Sequence, residues 1–362
     1  MLSKITQKVY NSNLIKRSIK TLSINGYSEK IYERSDYPLQ KSKNILKDEK
    51  ISVIGYGPQG RGQSLNLRDN GFNVILGIRE NGESWNKALK DNWKPGINMF
   101  PIDEAVSQTS IIQYLLSDAA QISNWDCIKS NLQENNILYF SHGFGIVFDY
   151  QTNIKPPSNI DVILVAPKGP GGLVREKFQK GEGINSSYAI YQDYSGKAKE
   201  KALSLAFGIG SLNVFETTFK KEVFSDLTGE RCVLMGLIQG AFKAQYNVLR
   251  KNGHSPSEAF NETVEEALVS LYPLINKKGM DWMFENCSTT AQRGALDWAP
   301  HFEKIIEPEV EKCYKSVING NESKRSIDSN TDNNYREKLN KELEKIKSQE
   351  IWVVGKFMRS LR

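Results

Sequence analysis

Histidine and cysteine are scarce: three and four residues in a chain of 362. Cys127, Cys232, Cys287 and Cys313 are scattered and no pair has C-x-x-C spacing. That excludes a disulfide framework and a cysteine zinc site, and fits a reducing compartment with free thiols. Long apolar runs are also missing. The longest, such as Asp161 to Ala166, are strand-sized, far short of the roughly 18 residues of a membrane span. Acidic residues are absent from Met1 to Ser28, where Lys4, Lys8, Lys16, Arg17 and Lys20 alternate with Leu2, Ile5, Val9, Leu14, Ile15 and Ile19. A basic, acid-free segment with apolar residues at helical spacing reads as a transit peptide over residues 1–28. It is not especially serine-rich, which favours the mitochondrial matrix over a plastid; the plain alternative is a solvated basic tail. Much of the net charge of +6 sits in this segment. The body shows no basic patch interleaved with aromatics, so nucleic acid is not an expected partner. With 39% hydrophobic and 25% charged residues, the remainder has the composition of a soluble enzyme.

The order of patterns divides that body in two. Lys50 to Ile54 reads as a buried strand, followed at once by Gly55-Tyr-Gly-Pro-Gln-Gly60, a helix from about Gln59 to Asn70 and a second strand, Asn73 to Ile78. Further short strands, Ile111 to Leu115, Ile137 to Phe140 and Val162 to Val165, are spaced by helical stretches. Strands alternating with helices predict an α/β domain with a doubly wound, mostly parallel sheet over residues 29–217. From about Thr217 the pattern turns helical, predicting an all-α domain over 218–320, with helices at about Gly229 to Lys251 and Pro256 to Lys277. Ser255, Pro256 and Glu258 form a capping box at the start of the latter, and Pro273 is expected to kink or end it. Residues 321–362 read as a C-terminal extension. The polar stretch Asn319 to Asn334 is expected as a surface loop, Tyr335 to Lys347 as an exposed helix and Ile351 to Val354 as a strand.

Gly55, Gly57 and Gly60 make a complete G-x-G-x-x-G between strand and helix. In that context the glycines permit a tight turn and close approach of a pyrophosphate to a helix N-terminus, as in Rossmann-type dinucleotide domains. Gln59 lies in the same loop. Where an NAD enzyme usually places an acid, the second strand ends at Arg79, and Ser84 follows. An Arg and a hydroxyl suit a 2′-phosphate and point to NADPH, although Glu80 and Glu83 would repel that phosphate if they faced it.

In the helical half, Asp226 and Glu230 are four residues apart, as are Glu262 and Glu266. Like charges at i and i+4 share a helix face and cost about 0.2–0.5 kcal/mol. A cation offsets that cost, and an all-oxygen set suits Mg²⁺. Two such helices facing each other could hold a pair of ions. Spacing alone leaves open a solvated acidic face, which the neighbouring Glu265 also fits.

The string from Gly55 through Asn66-Leu-Arg-Asp-Asn-Gly71 to Arg79 and Ser84-Trp85 resembles ketol-acid reductoisomerase. So do Ser141-His-Gly-Phe144, Ala166-Pro-Lys-Gly-Pro170, Ser225-Asp-Leu-Thr-Gly-Glu230, Pro256 to Glu266 and Cys287-Ser-Thr-Thr-Ala291. The resemblance runs from about Tyr32 to the C-terminus and is greatest to the short, fungal mitochondrial form. It implies a Rossmann-like domain followed by a helical domain, two Mg²⁺ ions and NADPH. It also implies conversion of 2-acetolactate or 2-aceto-2-hydroxybutyrate to 2,3-dihydroxy acids, by alkyl migration and then reduction, in valine and isoleucine biosynthesis. It casts Asp226, Glu230, Glu262 and Glu266 as metal ligands, at least one of the second pair coming from a partner subunit. Ser288 matches the serine that contacts substrate, and His142 and Lys168 match active-site positions. Lys168 and Glu266 are expected to handle protons or organise water. Each residue has a plainer reading: His142 satisfying a backbone group, Lys168 as a loop lysine, Ser288 as a helix cap. His254 and His301 lack such a context. Pro58, Arg61 and Gly62 depart from the commonest family pattern without threatening it. The family also implies a homo-oligomer, at least a dimer, through the helical domain. The nearest different expectation is a metal-independent β-hydroxyacid dehydrogenase, which would not need four paired acids.

Overall fold

The computed structural model describes residues 20–332 and 334–362; most of the expected transit peptide lies outside them. The chain forms two units, one of Met1–Gly143 with Ile154–Phe219 and one of Phe144–Asn153 with Lys220–Arg362.

The first unit is a ten-stranded sheet with helices between its strands. Along the chain come β1 (Lys20–Ile24), β2 (Tyr27–Glu33), α1 (Leu39–Ile45), β3 (Ile51–Ile54), α2 (Pro58–Asp69), β4 (Val74–Gly77) and α3 (Glu83–Lys90). Then follow β5 (Met99–Phe100), α4 (Ile102–Ser107), β6 (Ile111–Tyr114), α5 (Asp118–Asn131) and β7 (Ile137–Phe140). Two short helices, α6 (Phe144–Val147) and α7 (Asp149–Thr152), belong to the second unit. The first resumes with β8 (Asp161–Pro167), α8 (Gly171–Gln179), β9 (Ser186–Gln192), α9 (Ala198–Gly208) and β10 (Asn213–Glu216).

Every residue of β3, β4, β6 and β7 is buried, as expected of parallel strands covered on both faces. The order is β1-β2-β10-β9-β8-β7-β6-β3-β4-β5. From β8 to β5 all neighbours are parallel, and Ile51 pairs with both Val74 and Ile111. The chain winds outward from β3 to β5, then returns to the other side of β3 as β6. That reversal opens a crevice at the carboxyl ends of β3 and β6, where dinucleotides bind in such sheets.

The far edge of the sheet departs from the sequence expectation. β9 runs antiparallel to β8, and β2 and β1 add a hairpin beside β10. Residues 20–28, within the stretch expected as a transit peptide, form β1, the turn and the start of β2. Asn25 and Gly26, with φ of 48° and 81°, supply the left-handed pair that a tight two-residue hairpin requires.

The second unit is helical: α10 (Phe219–Arg231), α11 (Gly236–Lys251), α12 (Pro256–Phe260), two π-helical turns (Asn261–Glu265 and Ala267–Leu271), α13 (Tyr272–Lys278) and α14 (Met280–Glu285). The last four are α15 (Thr289–Ile318), α16 (Asn321–Asn330), α17 (Tyr335–Lys347) and α18 (Glu350–Arg359). The helix expected from Gly229 to Lys251 is two helices, broken at Cys232 to Met235. The loop expected over Asn319 to Asn334 is largely α16. Its polar residues are anchored: Arg231 bonds Glu322 at 2.8 Å, and Ser323 Oγ donates to Gln151 at 2.9 Å. The strand expected at Ile351 to Val354 lies within α18. Ile351 is buried, and Gly355, one turn on, lets the ring of Phe260 approach the backbone. Docking on α12 overrides the β-prone Ile-Trp-Val-Val run. The capping box at Ser255 is formed, and Pro273 sits in the first turn of α13 after the π-helical turns. Among the described residues no helix is long and apolar enough to cross a membrane.

Candidate active site

The glycine loop leaves the end of β3 and enters α2. Gly55 has φ +99°, and a Cβ there would meet the carbonyl oxygen of Leu115 at 2.9 Å and Leu116 Cδ2 at 2.8 Å. Only glycine makes this turn without strain. Gly57 is different: its φ of −71° and ψ of −172° suit any residue, and a Cβ would meet nothing within 4 Å. Its missing side chain keeps open space open. Gly57 is the N-cap of α2 and offers no side-chain cap, Pro58 occupies the first turn, and no acid lies in that turn. The N-terminal N–H groups and the helix dipole are thus left for an anion. Gly62, a departure noted above, meets Gly171 where α2 and α8 touch backbone to backbone.

Beside this turn lies a cleft of about 480 Å³, lined by Tyr56, Gly57, Pro58, Arg61, Lys87 and Lys90 among others. Arg61 is fixed there by Asp91, with Nε to Oδ2 at 2.6 Å and Nη2 to Oδ1 at 2.8 Å. Tyr56 also donates to Asp91, at 2.8 Å, and Trp93 Nε1 donates to Tyr56 at 3.0 Å. The Arg61 hydrogen bond holds the Asp91 carboxyl below its ordinary range, while burial pushes the Tyr56 hydroxyl up. Arg79 and Glu80 are exposed just past β4, and Ser84 is half-buried in the first turn of α3. Glu83 is paired with Lys87 at 2.6 Å, which engages one of the two acids expected to oppose a phosphate. The vacant-faced glycine, the uncapped helix and the basic cleft fit a dinucleotide.

His142 lies two residues past β7 and is half-buried; Lys168 follows β8 and is exposed, its N–H bonded to Asn185 O at 2.8 Å. Asp118, the first residue of α5, has its carboxyl raised by burial and partly lowered again by His142. It joins the list of charged groups around that histidine.

In the helical unit Asp226 and Glu230 lie on α10, with Asp226 half-buried and Glu230 exposed. The structure adds Glu222, one turn earlier and 2% exposed. Its carboxylate lies within 4.8 Å of that of Asp226. This makes a stripe at i, i+4 and i+8. The same spacing argument that selected Asp226 and Glu230 finds it when extended one turn back. The Glu222 and Asp226 carboxylates offer oxygen donors suited to a hard cation.

Glu262 lies in the first π-helical turn and Glu266 directly after it, both exposed. π-helical turns concentrate at functional sites; here Gln245 donates to the carbonyl of Glu262 at 3.0 Å. Glu265 pairs with Arg362, which separates it from its neighbours. Among the described residues, no cluster of three potential metal ligands contains Glu230, Glu262 or Glu266. Ser288 is exposed and is the N-cap of α15, its Oγ accepting from Ala291 N at 3.2 Å. The plainer reading of that serine as a cap is observed. The cap uses an oxygen lone pair and leaves the O–H free to donate.

Comparison with known proteins covers nearly the whole chain. The family model "Acetohydroxy acid isomeroreductase, NADPH-binding domain" matches residues 45–214, and "Ketol-acid reductoisomerase, C-terminal domain" matches 219–362. The chain is 55% identical over 346 residues to a mitochondrial ketol-acid reductoisomerase of Neurospora crassa, covering 96% of this chain and 86% of that one. It is 54% identical over 342 residues to a ketol-acid reductoisomerase (NAD(+)) of Desulfosudis oleivorans, covering 94% and 97%. A solved structure of an NADH-preferring ketol-acid reductoisomerase from an uncultured archaeon superposes with a TM-score of 0.81 at 32% identity, covering 92% and 99%.

Proposed function

The chain belongs to the ketol-acid reductoisomerase family, and on that premise we propose that it converts 2-acetolactate or 2-aceto-2-hydroxybutyrate to 2,3-dihydroxy acids, using NADPH and two Mg²⁺ ions. The observation that carries the reading is the acidic stripe of α10 in the same chain as a dinucleotide cleft. A metal-independent β-hydroxyacid dehydrogenase has no need of such a carboxylate stripe, in which Glu222 and Asp226 lie within 4.8 Å of each other.

Gly55, Gly57 and Gly60 with the start of α2 hold the pyrophosphate. Arg79 and Ser84 bind the 2′-phosphate, which makes NADPH the preferred cofactor. The nicotinamide, when bound, supplies a hydride. Asp226 and Glu230 hold one edge of the metal site. Glu262 and Glu266, exposed and apart from that stripe, complete it from a second subunit. Bound Mg²⁺ supplies Lewis acidity for an alkoxide and a ketone on adjacent carbons. Ser288 donates its hydroxyl proton to the substrate. His142 orients the reacting oxygens, and Lys168 and Glu266 take up and return protons there.

The second subunit is another copy of this chain. The α15 face carrying Leu296, Trp298, Phe302 and Ile305 is exposed, as are Leu268, Val269 and Tyr272, an apolar surface of the kind that oligomers cover. Residues 1–28 serve as a mitochondrial presequence, in keeping with the location in the name of the Neurospora relative.

Incubation with 2-acetolactate, Mg²⁺ and NADPH tests the reading. Acetolactate-dependent NADPH oxidation is expected, and Arg79→Asp should weaken NADPH far more than NADH. NADPH oxidation driven by simple 3-keto acids, with no response to acetolactate, would overturn it.

A further inference from the structure

Gln63 is 0% exposed in the middle of α2. Burying an amide costs free energy unless its groups are bonded, and here they are. Nε2 donates to Gln59 Oε1 at 3.0 Å and to Ser141 Oγ at 2.8 Å. Oε1 accepts from the hydroxyl of Tyr139 at 2.7 Å. Tyr139 is itself fully buried, with its hydroxyl also 3.2 Å from Val165 O. Gln59, one turn before Gln63, passes the chain onward: its Nε2 donates to Gly169 O at 2.9 Å.

The two ends of this network are informative. Ser141 immediately precedes His142, and Gly169 immediately follows Lys168. Gln63 thus ties the phosphate-facing helix to the ends of β7 and β8, at the points where those two side chains emerge. All of these residues lie in the first unit. A hydrophobic residue of similar length would fill the same space, so packing alone does not require an amide. What the amide adds is direction: two donated bonds and one accepted bond, fixed on the preceding turn of α2 and on the end of β7.

We propose that Gln63 is a positioning residue, which sets His142 and Lys168 relative to the bound dinucleotide through Ser141 and through Gln59 and Gly169. This rests on the reading above in which His142 and Lys168 take part in the reaction. A displacement of about 1 Å at such groups costs on the order of 100-fold in rate.

The test compares Gln63→Met, Gln63→Glu, Ser141→Ala and the Gln63→Met/Ser141→Ala double variant in acetolactate turnover, with NADPH binding and thermal stability measured alongside. Gln63→Met is expected to lower kcat roughly 10- to 100-fold, with NADPH Kd changed no more than a few-fold. Ser141→Ala is expected to lower kcat in the same direction, and the double variant should be no worse than the worse single variant, the signature of residues acting in one network. Gln63→Glu keeps the acceptor for Tyr139 but donates toward Ser141 only while protonated. Its activity relative to the unsubstituted enzyme should fall as pH rises, a response that mere packing does not give. If Gln63→Met proves too unstable to assay, Ser141→Ala and the pH profile of Gln63→Glu decide the question. Retention of kcat within twofold in Gln63→Met, or strictly additive losses in the double variant, overturns the inference. His142→Gln and Lys168→Gln separate the two levels. Unchanged turnover in both would overturn the assignment of those residues, whereas loss in both with unchanged Gln63→Met would overturn only the positioning role.

Discussion

Gly55 and Gly57 stand two residues apart in one motif, yet the structure gives them different tasks, and alanine at each separates fold from function. At Gly57 the backbone suits alanine and a methyl group would touch nothing within 4 Å. Alanine is a poorer N-cap than glycine by about 0.5–1 kcal/mol, and it gains about 0.4–1 kcal/mol by restricting the unfolded chain. Stability should therefore change by less than about 1 kcal/mol. A methyl group in the space reserved for a pyrophosphate should cost binding about 1–3 kcal/mol, comparable to overpacking a core, or roughly 5- to 150-fold in Kd. At Gly55 the order reverses. The left-handed backbone and the contact with Leu115 O together cost about 2–4 kcal/mol of stability, a fall in Tm of roughly 5–15 °C for a domain of this size. Calorimetric unfolding and NADPH titration of both variants provide the check. A Gly57→Ala enzyme that binds NADPH normally would refute the assignment of that open space to the cofactor.

Three further outcomes can be measured. Asp91 is held below its ordinary carboxyl range by Arg61, so its contribution to stability is present above the unfolded value of about 3.9 and is lost as pH falls through the lower folded value; Asp91→Asn should differ most from the parent above about pH 4 and converge with it below, and a constant difference across thermal unfolding at several pH values would contradict this. Glu262→Gln should abolish isomerisation of acetolactate while NADPH affinity, read by fluorescence titration, stays within about threefold, since the two sites lie in different units; loss of NADPH affinity would show the residue to be misplaced. Phe302→Glu on the exposed face of α15 should shift sedimentation from an oligomer toward a monomer and lower turnover with it, whereas an unchanged oligomer would free that face from the interface.

The parallel half of the sheet was legible because its strands are buried on both faces and leave uninterrupted apolar runs, as at Ile137 to Phe140. The glycine loop was legible for a related reason: strand, glycines and helix follow in direct succession. The hairpin of β1 and β2 was missed although Asn25-Gly26 is a strong turn signal, because charge was read before turn chemistry. Ile351 to Val354 lies in a helix although Ile-Trp-Val-Val favours extended structure locally, because α18 packs on Phe260 and the cluster around it. Glu222 lies one turn before the motif that begins with Ser225, so the motif does not point to it. How Asp226 and Glu230 stand toward Glu262 and Glu266 cannot be read from spacing at all. An i, i+4 pair identifies a helix face, but says nothing of which face, or which subunit, stands opposite.

The central claim is that one chain joins a metal-dependent rearrangement to a nicotinamide-dependent reduction. The most direct measurement is acetolactate-dependent NADPH oxidation before and after chelation of divalent cations, followed by restoration of Mg²⁺. The account predicts that chelation abolishes the activity while NADPH remains bound, and that Mg²⁺ restores it. Activity undiminished in the chelated enzyme would contradict it.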